Sequence, residues 1–165
     1  ISFALIYLEY GFIFYTISGW LLSVILIASA VIDINEGIIP DKITYPAIVI
    51  GLALSYFTVG VPSAILGALL FGGILLLAAI FSRGGMGGGD IKLALAIGAF
   101  TGLQGAFLAF VISSLLGGAA AISLLLGKQA TLKTAIKFGP LLAIGGWLAF
   151  VYGNRLITFY LNILG

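Results

Sequence analysis

The chain has 165 residues, 62% of them hydrophobic and 7% charged, with seven Lys or Arg against five Asp or Glu. Soluble domains carry about a quarter charged residues, so this is an integral membrane protein with room for roughly five or six spans of about 20 residues. With no cysteine or histidine, the chain has no disulfide framework, no Cys or His zinc site, no thiol nucleophile and no Ser-His-Asp triad. A net charge of +2 gives no basis for nucleic-acid binding.

The first apolar stretch, Ile1 to Ile32, is interrupted near Glu9-Tyr10-Gly11 and is too long for one span. It divides into the end of one helix before Gly11 and a full span over 12–32. No basic n-region precedes a small-residue cleavage site, so no signal peptide is assigned. A polar interval from Asp33 to Lys42 holds three of the five acidic residues. A span over 45–57 follows, with Pro46 tolerated in its first turn. Gly60-Val61-Pro62 turns the chain into a span over 63–81. Beyond Ser82, five of the six positions from Gly84 to Gly89 are glycine, and they lead to Asp90. A short helix over 91–100, a turn at Thr101 to Gly105 and a long helix over 106–126 come next. Gly127 to Lys137 is a basic loop with Lys128, Lys133 and Lys137. The last apolar stretch, 138–164, is either one long tilted helix or a span followed by an interfacial segment. The expected fold is all-α, a polytopic bundle of about six membrane helices, some short or broken. It forms a single integral-membrane domain over residues 1–165.

Counting the crossings puts the segments Asp33–Lys42, Arg83–Lys92 and Lys128–Lys137 on one side. Six of the seven basic residues then share a face, with Arg155 opposite, and the positive-inside rule makes that face cytoplasmic. Four of the five acidic residues lie there too. Ionisable groups at the edge of a membrane bundle are costly and need a reason. Asp33 sits where a helix should end, against the macrodipole, and so runs against local preference. Asp90 stands as a helix N-cap should, where a carboxylate is favoured. The glycines before it would let backbone approach an extended peptide closely. They resemble a phosphate loop only superficially, because the Lys-Ser/Thr ending is missing.

Asp33 and Asp90 are 57 residues apart, yet the topology puts both at one face. Two facing carboxylates could share a proton, one as base and one as acid, and direct a water at a peptide carbonyl without metal or cofactor. From the helix ends they are expected to occupy, Asp90 is the base and Asp33 the acid. Asp41 fits a capping or positioning group and Glu36 a solvated turn. Lys92 is either a headgroup anchor or a charge biasing Asp90. The same aspartates could serve a proton- or cation-coupled transporter, although such sites usually lie near the midplane.

These motifs resemble the type IV prepilin peptidases. Gly87-Gly88-Gly89-Asp90, extended to Lys92-Leu93, looks like the family's GxGD signature. Asp33 with Ile38-Ile39-Pro40-Asp41-Lys42-Ile43-Thr44 looks like its first aspartate segment, and Phe138-Gly139-Pro140 with Gly146-Trp147 like its last helix. The resemblance implies a bilayer-embedded aspartic endopeptidase with Asp33 and Asp90 catalytic and Gly87 and Gly89 shaping the site; Asp41 and Lys92 are read from their positions as substrate-binding or site-shaping residues beside it. Its substrate would be a prepilin or pseudopilin of pilus or type II secretion systems, carrying a hydrophobic N-terminal helix. Cleavage would follow a leader glycine at the cytoplasmic face of the bacterial inner membrane. No Cys-x-x-Cys pair is present, so N-methylation draws no support from the resemblance.

Overall fold

A computed structural model describes residues 6, 13–82, 86–126 and 137–164. Among them there are helices and no strands: α1 (Ile13–Glu36), α2 (Asp41–Ser55), α3 (Val61–Phe81), α4 (Gly88–Leu126) and α5 (Gly139–Leu164). Each follows from an apolar run bounded by local stop chemistry. α1 ends where Gly37 takes φ +69° and its N–H bonds the Asp33 carbonyl at 2.9 Å, a left-handed C-terminal cap. The helix thus runs four residues past the expected end at Ile32, and Asp33 lies inside its last turn. Pro40, with φ −67° and ψ 137°, holds extended backbone and releases α2 at Asp41. Pro46 therefore falls inside α2 rather than in its first turn. Gly60 and Pro62 start α3 as the sequence suggests. The last apolar stretch is one helix.

α4 is broken at Gly102, where φ 69° and ψ −175° leave the helical region. A side chain at Gly146 of α5 would run into Ile97, and one at Gly145 into Ser113 and the Ala109 carbonyl. Residues on both sides of the break therefore meet α5 at the same level, and the chain reverses direction at Gly102. This is the turn expected between Thr101 and Gly105, so the described residues form six helical segments. Gly98 and Gly102 lie directly on Gly67 of α3, where backbones approach as small residues allow in membranes. The core gathers Phe71, Leu93, Ile97, Phe100 and Leu142 between α3, α4 and α5.

The outside is apolar: Val49, Leu69 and Ile80 are each more than 60% exposed, as a bilayer-facing surface requires. Phe14–Glu36, Val61–Phe81 and Gly88–Leu124 are long and apolar enough to cross a membrane. By contrast α2, and α4 up to its break, are about 21–23 Å long at 1.5 Å per residue, short of a hydrocarbon core about 30 Å thick. Their shortness recesses the polar end of the bundle. Gly72 of α3 lies against Ile91 and Leu95, so α3 continues about 9 Å beyond the level of Asp90.

Candidate active site

Asp33 is 6% exposed. A carboxylate so buried needs a donor, and the Gly139 N–H supplies one, meeting Oδ2 at 3.1 Å. Gly139 opens α5, so this amide is among those an α-helix leaves without an internal partner. The positive end of α5 thereby offsets the unfavourable end of α1 on which Asp33 sits. The approach requires glycine: a Cβ at position 139 would lie 2.7 Å from Asp33 Oδ2 and 2.9 Å from its Cβ. Lys137, two residues earlier, donates from Nζ to the Ile34 carbonyl in the last turn of α1. Lys137-Phe138-Gly139 thus straps the end of α1 through backbone and charge together.

Asp90 is the third residue of α4, and its N–H bonds the Gly87 carbonyl at 3.1 Å. The helix begins two residues before it, so Asp90 lies in the first turn rather than at the N-cap. Gly88 and Gly89 are correspondingly helical, and only Gly87 of this run of three remains outside; Gly84 and Gly85 lie outside the described residues. Gly87 adjoins the carboxyl group, since a Cβ there would stand 3.3 Å from Asp90 Oδ2. Gly89 faces the other arm of the site: a Cβ would come within 2.8 Å of Ile39 Cβ and 3.0 Å of its carbonyl oxygen. The connection between α1 and α2 therefore rests directly on the glycine turn. Through this contact the arm that carries Asp33 lies against the turn that carries Asp90.

The helix-end argument separating acid from base is not supported by this geometry. Asp90 lies in the first turn of its own helix and Asp33 faces the first amide of α5, so each carboxylate meets a helix N-terminus. The dipoles no longer distinguish them.

Asp41 begins α2, and its Oδ1 lies 2.5 Å from Lys92 Nζ. The same ammonium stands 4.9 Å from the centre of the Tyr45 ring. Lys92 is thus held by α2 rather than acting as a free headgroup anchor. Glu36 is exposed at the end of α1, in keeping with a solvated position. Of the basic residues used to orient the chain, Lys42, Lys92 and Lys137 lie at the aspartate end, and Arg155 lies well along α5 from it; Arg83, Lys128 and Lys133 are outside the described residues. Among the described residues, no group of three or more Asp, Glu, His or Cys side chains lies together as metal ligands would.

Beside Asp33, α1 and α5 part to leave an apolar groove of about 580 Å³, with Leu26, Ala30 and Val31 on one side and Pro140, Ala143 and Ile144 on the other. Its near end is two residues from Asp33 and one from Gly139. The role of Gly139 is the contact that reading by segments missed. Its signal was the Phe-Gly-Pro step itself, a glycine opening a helix where bulkier residues would serve if nothing approached.

Residues 20–122 match the type IV leader peptidase family. The chain is 36% identical over 164 residues to a prepilin leader peptidase/N-methyltransferase of Xanthomonas campestris pv. campestris, covering 95% of this chain and 57% of that protein. The protein of the same name from Pseudomonas putida is 36% identical over 149 residues, 85% of this chain and 51% of the relative. That from Neisseria gonorrhoeae is 34% identical over 157 residues, 91% and 54%. The chain thus spans just over half the length of these relatives. No solved structure matches it. On a match covering both aspartate segments and more than half of the chain, this protein belongs to the type IV leader peptidase family.

Proposed function

We propose that the chain is an aspartic endopeptidase of the membrane edge that removes the leader of prepilins or pseudopilins, with Asp33 and Asp90 as its catalytic pair. The observation that supports this reading is that the turn bearing Asp90 packs, through Gly89 on Ile39, against the connection that follows Asp33, 57 residues earlier in sequence, at one end of an apolar bundle. Asp33 is buried, and a carboxylate buried in a membrane bundle is costly and marks a functional site by default. Ends of spans also suit hydrolysis better than ion transport, whose sites usually lie near the midplane.

In the proposed reaction, a water between the two groups gives a proton to the ionised carboxylate as its oxygen bonds to the scissile carbonyl carbon. The protonated partner donates a hydrogen bond to the carbonyl oxygen. The carbon–nitrogen bond then breaks, and the departing amine takes up a proton from the pair. Gly139 holds Asp33 by its amide, Gly87 keeps a side chain away from the Asp90 carboxyl group, and Gly89 lets the Asp90 turn pack on Ile39. The groove between α1 and α5 offers the substrate's apolar helix a lateral approach that ends at Asp33. The polar end is proposed to face the cytoplasm across the bacterial inner membrane, as the positive-inside rule directs.

The test is to reconstitute the chain in proteoliposomes with a prepilin-type substrate and read the products by mass spectrometry. A single cut after the leader glycine is expected. No cleavage by the folded, reconstituted chain would overturn the reading.

A further inference from the structure

Two arms of chain carry the proposed catalytic carboxylates. One is the last turn of α1 with its connection to α2, from Asp33 through Ile39 to Asp41; the other is the first turns of α4, from Gly87 through Asp90 to Lys92. They touch at two places. Behind Asp90, Gly89 rests on Ile39, which is 7% exposed. Beyond Asp90, Lys92 reaches across to Asp41, with Nζ and Oδ1 2.5 Å apart. Asp41 and Tyr45 are one helical turn apart and so share a face of α2. Lys92 meets both, the carboxylate by charge and the ring, 4.9 Å away, by cation–π attraction.

The placement of Lys92 is not explained by its own helix. A cation near the N-terminal end of α4 opposes the macrodipole, and its headgroup-facing freedom is given up to the pair. Its 27% exposure, against 56% for Asp41, places the contact at the rim of the site. A rim pair of this kind contributes little to overall stability. It does join the turn bearing Asp90 to the start of α2, the element that follows the Asp33 arm.

From these contacts we infer that Asp41 and Lys92, with Tyr45 beneath the ammonium, are positioning residues that lock the Asp90 turn in register with Asp33. This rests on the peptidase reading for its kinetic consequence, though not for its structural one. The pair acts through Asp90 and touches no reacting atom. Breaking it therefore lowers the rate of the chemical step rather than substrate binding.

The experiment has two arms. In the first, Asp41→Asn, Lys92→Gln and the exchanged double variant Asp41→Lys/Lys92→Asp are assayed for cleavage of a prepilin-type substrate in proteoliposomes. Each single variant should lose kcat by about tenfold or more with KM within about twofold, and the exchange should restore most of the loss. Unchanged kcat, a loss confined to KM, or an exchange no better than the singles would overturn the inference. In the second arm, spin labels are placed on Ile38→Cys and Gly88→Cys of the cysteine-free chain. Position 38 is 60% exposed, and a Cβ at position 88 meets nothing within 4 Å. The distance distribution between labels should broaden in Lys92→Gln and narrow again in the exchange; equal widths throughout would also overturn it. If the unsubstituted chain cuts nothing, the peptidase reading fails, while the distance arm still decides whether the pair locks the two turns.

Discussion

Asp33 is a buried carboxylate with a backbone amide for a partner, and the single atom that makes this work is the one Gly139 lacks. Replacing that glycine by alanine puts a methyl group 2.7 Å from Asp33 Oδ2, so the carboxylate or the start of α5 must move. Gly139→Ala is expected to cut kcat by about 100-fold, the scale on which misplacement of about 1 Å acts, and kinetics on the purified variant check it. Glu36→Gln, one turn away and exposed, should cleave at close to the unsubstituted rate; a comparable loss there would give Glu36 a part in the chemistry. The two aspartates were legible in the sequence because each interrupts or abuts an apolar span, where a charge stands out against its surroundings. Gly139 was legible as part of a motif but not as a contact, since its partner is 106 residues away and nothing local announces it. Lys92 is similar: its charge was visible at once, while its partners Asp41 and Tyr45 depend on how α2 and α4 cross.

At the scale of elements, the break in α4 determines the architecture. A reversal at Gly102 turns one long apolar segment into a hairpin and lets its first half bring Asp90 back beside α1. Gly102 has positive φ, and a Cβ there would also crowd Ser63 Oγ at 2.7 Å. Gly102→Ala should therefore destabilise the protein by about 1–3 kcal/mol, seen as a lower midpoint of thermal unfolding in detergent. Gly73→Ala is the matched control: it is helical, a Cβ meets nothing within 4 Å, and it should leave the midpoint level or slightly higher. Equal losses in both would mean that the break is not a requirement of the fold. The turn itself was readable from Thr101-Gly102-Leu103-Gln104-Gly105. The helix ends were read less well, because α1 and α4 extend through polar residues and glycines that usually mark boundaries. Gly37 and the contacts of Gly89 override those preferences, which is why Asp33 and Asp90 both lie inside helices.

For the whole molecule, a short α2 and a short first half of α4 within longer helices produce a recess at one end, and the polar residues collect there. The topology predicts that this end faces the cytoplasm. Single cysteines at Ile38 and at Tyr56, 60% and 74% exposed at opposite ends of α2, give a direct reading in a chain with no others. A membrane-impermeant thiol reagent should label position 38 from the cytoplasmic side and position 56 from the other. Labelling of both from one side would contradict the arrangement of spans.

The central claim is that two carboxylates act as one hydrolytic site, and its most direct test is cleavage of a prepilin-type substrate by Asp33→Asn and Asp90→Asn beside the unsubstituted chain. Both substitutions keep size and shape while removing the ability to exchange a proton. Each alone should abolish leader removal while the variants remain folded and monodisperse. Near-normal cleavage by either one would contradict the paired mechanism.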